Sequence, residues 1–180
     1  IVEFNALSPL GTPLNDFFNA EFDEPFRKFL SENKFDVVHF QHLYGLSANW
    51  LKIAKEAGVK VVLKIDDFWF FCVQNHLYTG YGNYCTGIKS FDECADCFAI
   101  GKAIDKQQLS NVISIRTKIL KEAFEYPDLI HTPSYFALSK HKDYGFENDN
   151  FKVIRTGIKP FINETPKKSA NRKIRISYIG

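Results

Sequence analysis

Apolar residues recur along much of the chain at steps of three and four, which is the period of an amphipathic helix. Helices with this pattern are predicted over residues 15–32, 46–57 and 107–125. Pro25 lies inside the first of them and predicts a kink or a break into two helices. Gly58 follows the second as a stop signal, and Ser134 can cap a short helix that runs to about Tyr144. The pattern therefore predicts four helices.

Between these helices lie short apolar runs rich in Val and Ile, which are typical of buried strands. The predicted strands span residues 35–40, 59–65, 128–132 and 151–155. A strand, a helix and a strand joined by short loops form a βαβ unit, and such units build parallel sheets with right-handed crossovers. The sequence therefore predicts an α/β fold with a Rossmann-like parallel sheet flanked by helices.

The two ends of the chain depart from this alternation. Residues 1–12 begin like a strand and then turn, residues 158–172 hold prolines and many polar residues, and residues 173–180 alternate like a new strand. The 180 residues contain no methionine and start with Ile1. We therefore expect an interior piece of a longer protein, truncated at both ends. It would comprise one domain over residues 1–157, a linker, and the first strand of a second domain.

Composition and charge exclude some classes of protein. Hydrophobic residues make up 45% of the chain, including 18 Phe, which is enough for a substantial core. The net charge is only +2, and six basic residues but one acidic residue lie within 159–175. The folded body is therefore slightly acidic, and we expect no nucleic-acid partner.

Residues 68–88 lack charges but hold too many polar residues and glycines to span a bilayer. No secretory signal is recognisable, although an interior piece could have lost one. We expect a cytoplasmic protein.

Ligands of parallel sheets collect at the carboxyl ends of the strands, so the loops after the predicted strands are candidate sites. Gln41 and His42 follow the first of these strands. His39 and His42 could share a metal, but in an extended segment residues three apart point to opposite faces. The favoured interpretation places His39 in the sheet with a hydrogen bond and His42 at the cleft with Gln41. Gly45 follows, where a helix start could bind an anion or form an ordinary cap.

Two adjacent carboxylates, Asp66 and Asp67, follow the second predicted strand. Carboxylates at this position can act as a general base or accept hydrogen bonds from substrate hydroxyls. The structural alternative is that one caps a turn while the other is solvated. No Gly-x-Gly-x-x-Gly sequence follows the first strand and no Walker-type loop occurs, which counts against a dinucleotide-dependent dehydrogenase and a P-loop enzyme.

All four cysteines fall within residues 68–101, a segment without a clear hydrophobic period. They are Cys72, Cys85, Cys94 and Cys97. Four thiolates suit a tetrahedral zinc ion with a structural role, because they leave no open coordination position for catalysis. The alternatives are two disulfides, which need an oxidising compartment, and free thiols. We interpret the segment as a Cys-rich insertion.

The order of these pieces resembles the N-terminal domain of group 1 (family 4) glycosyltransferases of the two-domain GT-B type. The resemblance rests first on residues 35–47 and 58–69, the latter followed by the spaced cysteines. Residues 127–134 look like the segment that closes this domain, and 151–157 look like the approach to the interdomain hinge. Residues 175–180 look like the first strand of the C-terminal domain. The implied fold is the N-terminal half of GT-B.

This resemblance implies transfer of a sugar from a nucleotide-sugar donor to a glycan or lipid-linked acceptor, without a catalytic metal. Synthesis of a cell-surface polysaccharide is the implied setting. The N-terminal domain of the family mainly holds the acceptor, and the C-terminal domain holds most of the donor. We therefore expect the 180-residue chain alone to be inactive. Peripheral association of the full-length protein with the inner face of the membrane fits a lipid-linked acceptor.

Carried onto this chain, the resemblance implies three groups of site residues. Asp66 and Asp67 would contact the acceptor or donor sugar as catalytic residues. The acceptor-side cleft would be lined by Gln41, His42, Gly45 and Ser134. The hinge and donor side would include Thr156, Gly157 and Gly180.

Two positions depart from the family pattern. The family usually has His-Asp where this chain has Asp66 and Asp67, and a carboxylate near a sugar diphosphate is repelled unless it is protonated or paired. Thr156 stands where Asn often precedes the hinge glycine, a milder change because Thr can still hydrogen bond. Two alternatives stay open. One is a GT-B relative that binds ligands but has lost catalysis, and the other is a metal-stabilised interaction module built on the Cys-rich insertion.

Overall fold

A computed structural model of the chain describes residues 17–87 and 89–157. Within these residues, four strands form one sheet in the order β1-β2-β3-β4, and every neighbouring pair is parallel. The strands are β1 Val37–Phe40, β2 Lys60–Lys64, β3 Leu129–Thr132 and β4 Phe151–Val153. The predicted α/β fold with a Rossmann-like parallel sheet is confirmed, and each predicted strand is present in a slightly shorter form.

Helices flank the sheet and connect its strands. A 3-10 helix spans Ala20–Phe22, and the α-helices are α1 Asp23–Glu32, α2 Asn49–Glu56, α3 Phe91–Ala99, α4 Lys106–Ala123 and α5 Tyr135–Asp143. The break that Pro25 predicts falls at Asp23, so the proline occupies the first turn of α1. A missing N–H costs no intrahelical bond at that position. The four predicted helices are therefore present, and α3 is additional.

Local chemistry fixes the start of α3 inside the Cys-rich insertion. Ser90 Oγ accepts a hydrogen bond from the Glu93 N–H at 3.2 Å, and the Glu93 carboxylate accepts one from the Ser90 N–H at 2.9 Å, forming a capping box. One face of α3 packs on α4 in a small second core. This core contains Val73, Ala95, Phe98, Ala99, Leu109 and Ile113. Phe91, Cys94, Ala95 and Phe98 recur at helical spacing after the Ser-x-x-Glu signature, so the sequence holds a signal for this helix that our prediction overlooked.

The main core covers one face of the sheet, because alternate strand residues point to the same side. The buried strand residues in it are Phe40, Val61, Leu63, Ile130 and Phe151. Aromatic rings from the helices complete this core: Phe26 of α1 stacks on Trp50 of α2 with ring centroids 4.2 Å apart. The alternate residues His39, Lys64 and His131 are polar and are not part of the core. The sheet therefore has one apolar face and one partly polar face near its carboxyl edge.

Some predicted features lie outside the described residues. These are the strands over 1–12 and 173–180, the linker over 158–172, and Gly180. The Cys-rich insertion 68–101 is described except for Ile88. Among the described helices, none combines the length and apolar character that crossing a bilayer requires.

Candidate functional site

The carboxyl ends of the parallel strands lie along one edge of the sheet, and the loops after them carry most of the predicted site residues. Gln41 and His42 follow β1, and Asp66 and Asp67 come shortly after β2. Because β1 and β2 are direct neighbours in parallel register, these two loops meet. The polar side chains of the two loops therefore lie at the same edge of the sheet.

His42 and Asp67 form a hydrogen-bonded pair across the two loops. His42 Nε2 lies 3.1 Å from Asp67 Oδ2, and the backbone N–H of Tyr44 donates to His42 Nδ1 over 2.8 Å. Since Nδ1 accepts a hydrogen bond, the imidazole proton is assigned to Nε2, which donates to the carboxylate. The two side chains are 35% and 38% exposed. The pair is therefore held in one tautomer and orientation while remaining accessible from solvent.

A second hydrogen bond helps to keep Asp67 ionised. Its Oδ1 accepts a hydrogen bond from the backbone N–H of Trp69 at 2.9 Å. Partial burial by itself raises the pKa of Asp67, but the hydrogen bonds from His42 and Trp69 outweigh burial, so the pKa lies below its ordinary value. At neutral pH this carboxylate can accept a hydrogen bond from a hydroxyl. With a lowered pKa it is only a weak base.

Asp66 has a different partner from its neighbour. Its Oδ2 lies 2.7 Å from Nζ of Lys64, the last residue of β2. Side chains of successive extended residues point in opposite directions, which explains why Asp66 meets Lys64 while Asp67 meets His42. The Asp66 side chain is about half exposed and its negative charge is paired.

A second polar group surrounds His39 of β1 and includes His131 of β3, two strands away across β2. Its Nε2 lies 3.1 Å from His131 Nε2, and the Gln41 amide nitrogen lies 3.3 Å from either ring nitrogen of His39. His39 therefore makes the hydrogen bond expected of it, while Gln41 contacts His39. Burial, together with the nearby His39 and Lys64, lowers the pKa of His131. His39 and His42 have separate partners, as their spacing predicts.

Buried Arg116 of α4 fixes the loop that carries Asp67. Its side chain is almost fully buried, and its guanidinium donates to the carbonyls of Trp69 at 2.5 Å and Phe70 at 3.5 Å. The same guanidinium lies over the Trp69 ring, 5.1 Å from the centroid. That ring is in turn 5.3 Å from the imidazole of His42. Arg116 therefore holds the backbone directly after Asp67 and the ring that packs beside His42.

Gly45 occupies a turn before α2 and not the helix start. Its φ is +73°, in the left-handed region, and no heavy atom lies within 4 Å of where a Cβ would stand. The glycine is thus needed for backbone conformation and not for space. The expected helix start near Gly45 is wrong: α2 begins at Asn49, and its N-cap position Ala48 has no side-chain cap.

Ser134 caps α5 as predicted, with its Oγ accepting a hydrogen bond from the Ala137 N–H at 3.1 Å. It follows β3 closely and so lies at the same edge of the sheet as Asp67. Thr156 and Gly157 follow β4 and are exposed. The structure therefore brings these residues to the carboxyl edge, where the sequence places them.

The four cysteines line a cavity of about 410 Å³ whose lining includes neither His42 nor Asp67. All four are free thiols of intermediate burial. Burial first, and then the neighbouring thiols, raise the pKa of Cys94 to about 12. In the described part of the chain, no three side chains of His, Cys, Asp or Glu already stand at the spacing of metal ligands.

His141 of α5 is buried in a cage of aromatic rings. Its neighbours are Phe68, Phe70, Phe71, Phe124, Phe146 and Phe151. Its Nδ1 lies 2.8 Å from the Ala137 carbonyl, to which it donates. Burial lowers the pKa of His141 from 6.5 to about 4, so the side chain is neutral in the folded protein at pH 7.

We expect His141 to make the protein less stable as the pH falls from about 6.5 to about 4. In this window the unfolded chain binds a proton at His141 that the folded chain does not, so the free energy of unfolding falls as the pH falls. The loss across the window is about 3 kcal/mol. Urea unfolding between pH 4 and 7.5 measures it. His141→Gln should flatten the pH dependence, and the exposed control His76→Gln should not; equal slopes in all three proteins would contradict the assignment.

The sequence predictions missed three residues around the site. Lys64 and His131 are partners in the β2–β3 register, and a pairing between strands is not visible in a single sequence. Their polar character at the ends of predicted strands was an available signal. Arg116 lies on the apolar stripe of the predicted helix, three residues after Ile113 and four before Leu120. A charged residue on a buried stripe indicates a specific partner in the core.

Comparison with known proteins adds one match. The family model for Glycosyltransferase Family 4 matches residues 5–160. No curated protein and no solved structure matches the chain. The matched range contains all four strands of the described sheet and both loops that form the His42–Asp67 pair.

Proposed function

Because the chain belongs to glycosyltransferase family 4, we propose that it forms the acceptor-side half of an enzyme that transfers a sugar to a hydroxyl group. The donor would be a nucleotide-sugar and the acceptor a glycan or lipid-linked sugar. We place the reaction in cell-surface polysaccharide synthesis on the cytoplasmic side of the membrane. Family membership supports glycosyl transfer in general. The acceptor-side role is supported mainly by one observation, the solvent-accessible His42–Asp67 pair at the carboxyl edge of the sheet.

In the proposed reaction, the acceptor hydroxyl oxygen attacks the anomeric carbon of the donor while the bond to the diphosphate breaks. The diphosphate leaves with the bonding electrons, and the hydroxyl proton must be released. Asp67 accepts the hydrogen bond of this hydroxyl and so orients its oxygen toward the donor. Because its pKa is lowered, Asp67 acts mainly by orientation, and the proton passes to a more basic acceptor such as the departing diphosphate.

His42 is a positioning residue in this proposal. Its Nε2–H donates to Asp67 and its Nδ1 accepts from the Tyr44 N–H, so neither ring nitrogen is left to take the acceptor proton. The imidazole fixes the rotamer of the carboxylate and stabilises its negative charge. Gln41, Gly45 and Ser134 complete the acceptor side at the same edge of the sheet in this proposal.

The ion pair between Lys64 and Asp66 supports a site that tolerates a sugar diphosphate. An unpaired carboxylate at position 66 would repel the donor, but the ammonium group 2.7 Å away offsets its charge. Thr156 and Gly157, exposed after β4, are proposed to face the donor side. Following the family resemblance, the proposal assigns no catalytic metal.

The proposed function is tested on the full-length protein with a panel of nucleoside-diphosphate sugars. We expect one donor to release its nucleotide, and we expect glycan or lipid-linked acceptors to accelerate that release. Nucleotide release and the mass of the glycosylated acceptor are measured together. Donor or acceptor binding without release would favour the alternative of a relative that has lost catalysis. Absence of both binding and release across the panel would contradict the proposal.

A further inference from the structure

The four cysteines come from three separate pieces of chain and converge on one cavity of about 410 Å³. Cys72 and Cys85 lie near the beginning and the end of the long loop that precedes α3. Cys94 and Cys97 lie on α3 itself. Residues three apart on a helix lie on the same face, so both α3 thiols can address the cavity. Four thiols from separate segments that line one cavity form a candidate site distinct from the His42–Asp67 pair.

Backbone contacts fold the loop between Cys72 and Cys85 back on itself. The Asn75 N–H donates to the Cys72 carbonyl at 3.0 Å, and the Cys85 N–H donates to the Leu77 carbonyl at 2.8 Å. Asn75 and Leu77 both have positive φ, of 66° and 55°. A branched residue such as Leu rarely adopts this region, and such strain concentrates at sites where geometry matters.

Backbone N–H groups point at the sulfur atoms. The Gly80 N–H donates to Cys97 Sγ at 3.3 Å, and the N–H groups of Gln74 and Leu77 donate to Cys72. A Cβ at Gly80 would lie 2.5 Å from the Cys97 carbonyl oxygen, so only glycine allows this close approach. Donors of this kind stabilise metal-bound thiolates and fix their orientation.

The carboxylates at the rim of the cavity are already paired with lysines. Lys89 Nζ lies 3.3 Å from Glu93, and Lys106 Nζ lies 2.5 Å from Asp96. These pairs leave the sulfur atoms as the ligand set, and soft thiolates favour zinc over hard cations such as magnesium.

We propose that Cys72, Cys85, Cys94 and Cys97 bind one zinc ion in a structural, four-coordinate site. Binding releases the thiol protons and ties the loop 72–87 to α3. Tetrahedral coordination at about 2.3 Å needs the sulfur atoms roughly 3.8 Å apart, and no three potential ligands of the described residues are yet placed to hold a metal. The mostly exposed loop 78–87 can move inward with the least loss of packing, whereas α3 is anchored on α4.

The zinc site is tested by elemental analysis of the full-length protein. The protein is purified without chelator and under reducing conditions, and its zinc content is measured. We expect about one zinc per chain, lost on Cys→Ser substitution at each of the four positions. Tyr81→Phe, which changes the same cavity wall without touching a ligand, should keep the metal. Since a Cys→Ser variant can fail to fold, cobalt titration of chelator-treated wild-type protein gives a second measurement, with a thiolate-to-cobalt absorption band expected at one equivalent.

Two results would overturn the zinc site. One is a metal-free protein in which all four thiols react with a thiol reagent and cobalt gives no thiolate band. The other is protein purified without reductant whose mass is four hydrogens lower than that of the reduced chain, which shows two disulfides. Neither result depends on sugar transfer, so failure of the zinc site and failure of the proposed function are distinguishable.

Discussion

Replacing Arg116 with Met is expected to lower the free energy of unfolding by about 3 kcal/mol. Methionine fills much of the same space but donates no hydrogen bond, so the carbonyls of Trp69 and Phe70 lose their guanidinium donor in the protein interior. The stacking of the guanidinium on the Trp69 ring is lost as well. Urea unfolding of wild type and variant measures the difference.

Two further variants make the Arg116 result specific. Lys118→Met changes an exposed cation on the same helix and should alter stability by less than about 0.5 kcal/mol. Arg116→Lys keeps the charge but loses the planar fork that reaches two carbonyls, so its stability should fall between wild type and Arg116→Met. A loss in Arg116→Met no larger than in Lys118→Met would show that Arg116 does not hold the loop.

Substituting Asp67 with Asn is expected to lower kcat/KM for sugar transfer about 100-fold. The amide has the same shape but no charge, so it orients the acceptor hydroxyl poorly. It also cannot stabilise the positive charge that develops on the hydroxyl group as its oxygen attacks the donor. Most of the loss should appear in kcat, because the effect is largest in the transition state. Steady-state kinetics of the full-length enzyme, with the donor and acceptor identified in the nucleotide-release assay, measure it.

Asp149→Asn is the matched control for Asp67→Asn. Asp149 is an exposed carboxylate just before β4, at the opposite end of the strands. Its loss should leave kcat/KM within about twofold of wild type. Urea unfolding of both variants checks that the Asp67 variant is folded. An Asp67→Asn enzyme with nearly wild-type kcat/KM would remove Asp67 from the reaction.

Features that depend on local sequence were predictable. The strands come from short Val- and Ile-rich runs, and their order with the helices is enough to predict the parallel sheet. The rule that ligands gather at carboxyl ends of strands selected the loops that carry His42 and Asp67. Ser134 was recognisable as a cap because a hydroxyl directly before a helix satisfies a free N–H.

Features that depend on contacts between distant residues were not predictable. That His42 meets Asp67, and not Asp66, depends on the relative position of two loops and on which way each side chain points. The role of Arg116 depends on how α4 packs under the loop after β2. The convergence of the cysteines on one cavity depends on how α3, packed on α4, faces the loop that carries Cys72 and Cys85.

The claim that His42 positions Asp67 for sugar transfer is tested most directly by a double-mutant cycle. The cycle uses His42→Gln and Asp67→Asn and measures the rate of sugar transfer by the full-length protein. If His42 acts only by positioning Asp67, adding His42→Gln to Asp67→Asn should cost little beyond the loss in Asp67→Asn alone, because residues that act as a unit are not additive. Losses that multiply in the double variant, or single variants with wild-type rates, would contradict the account.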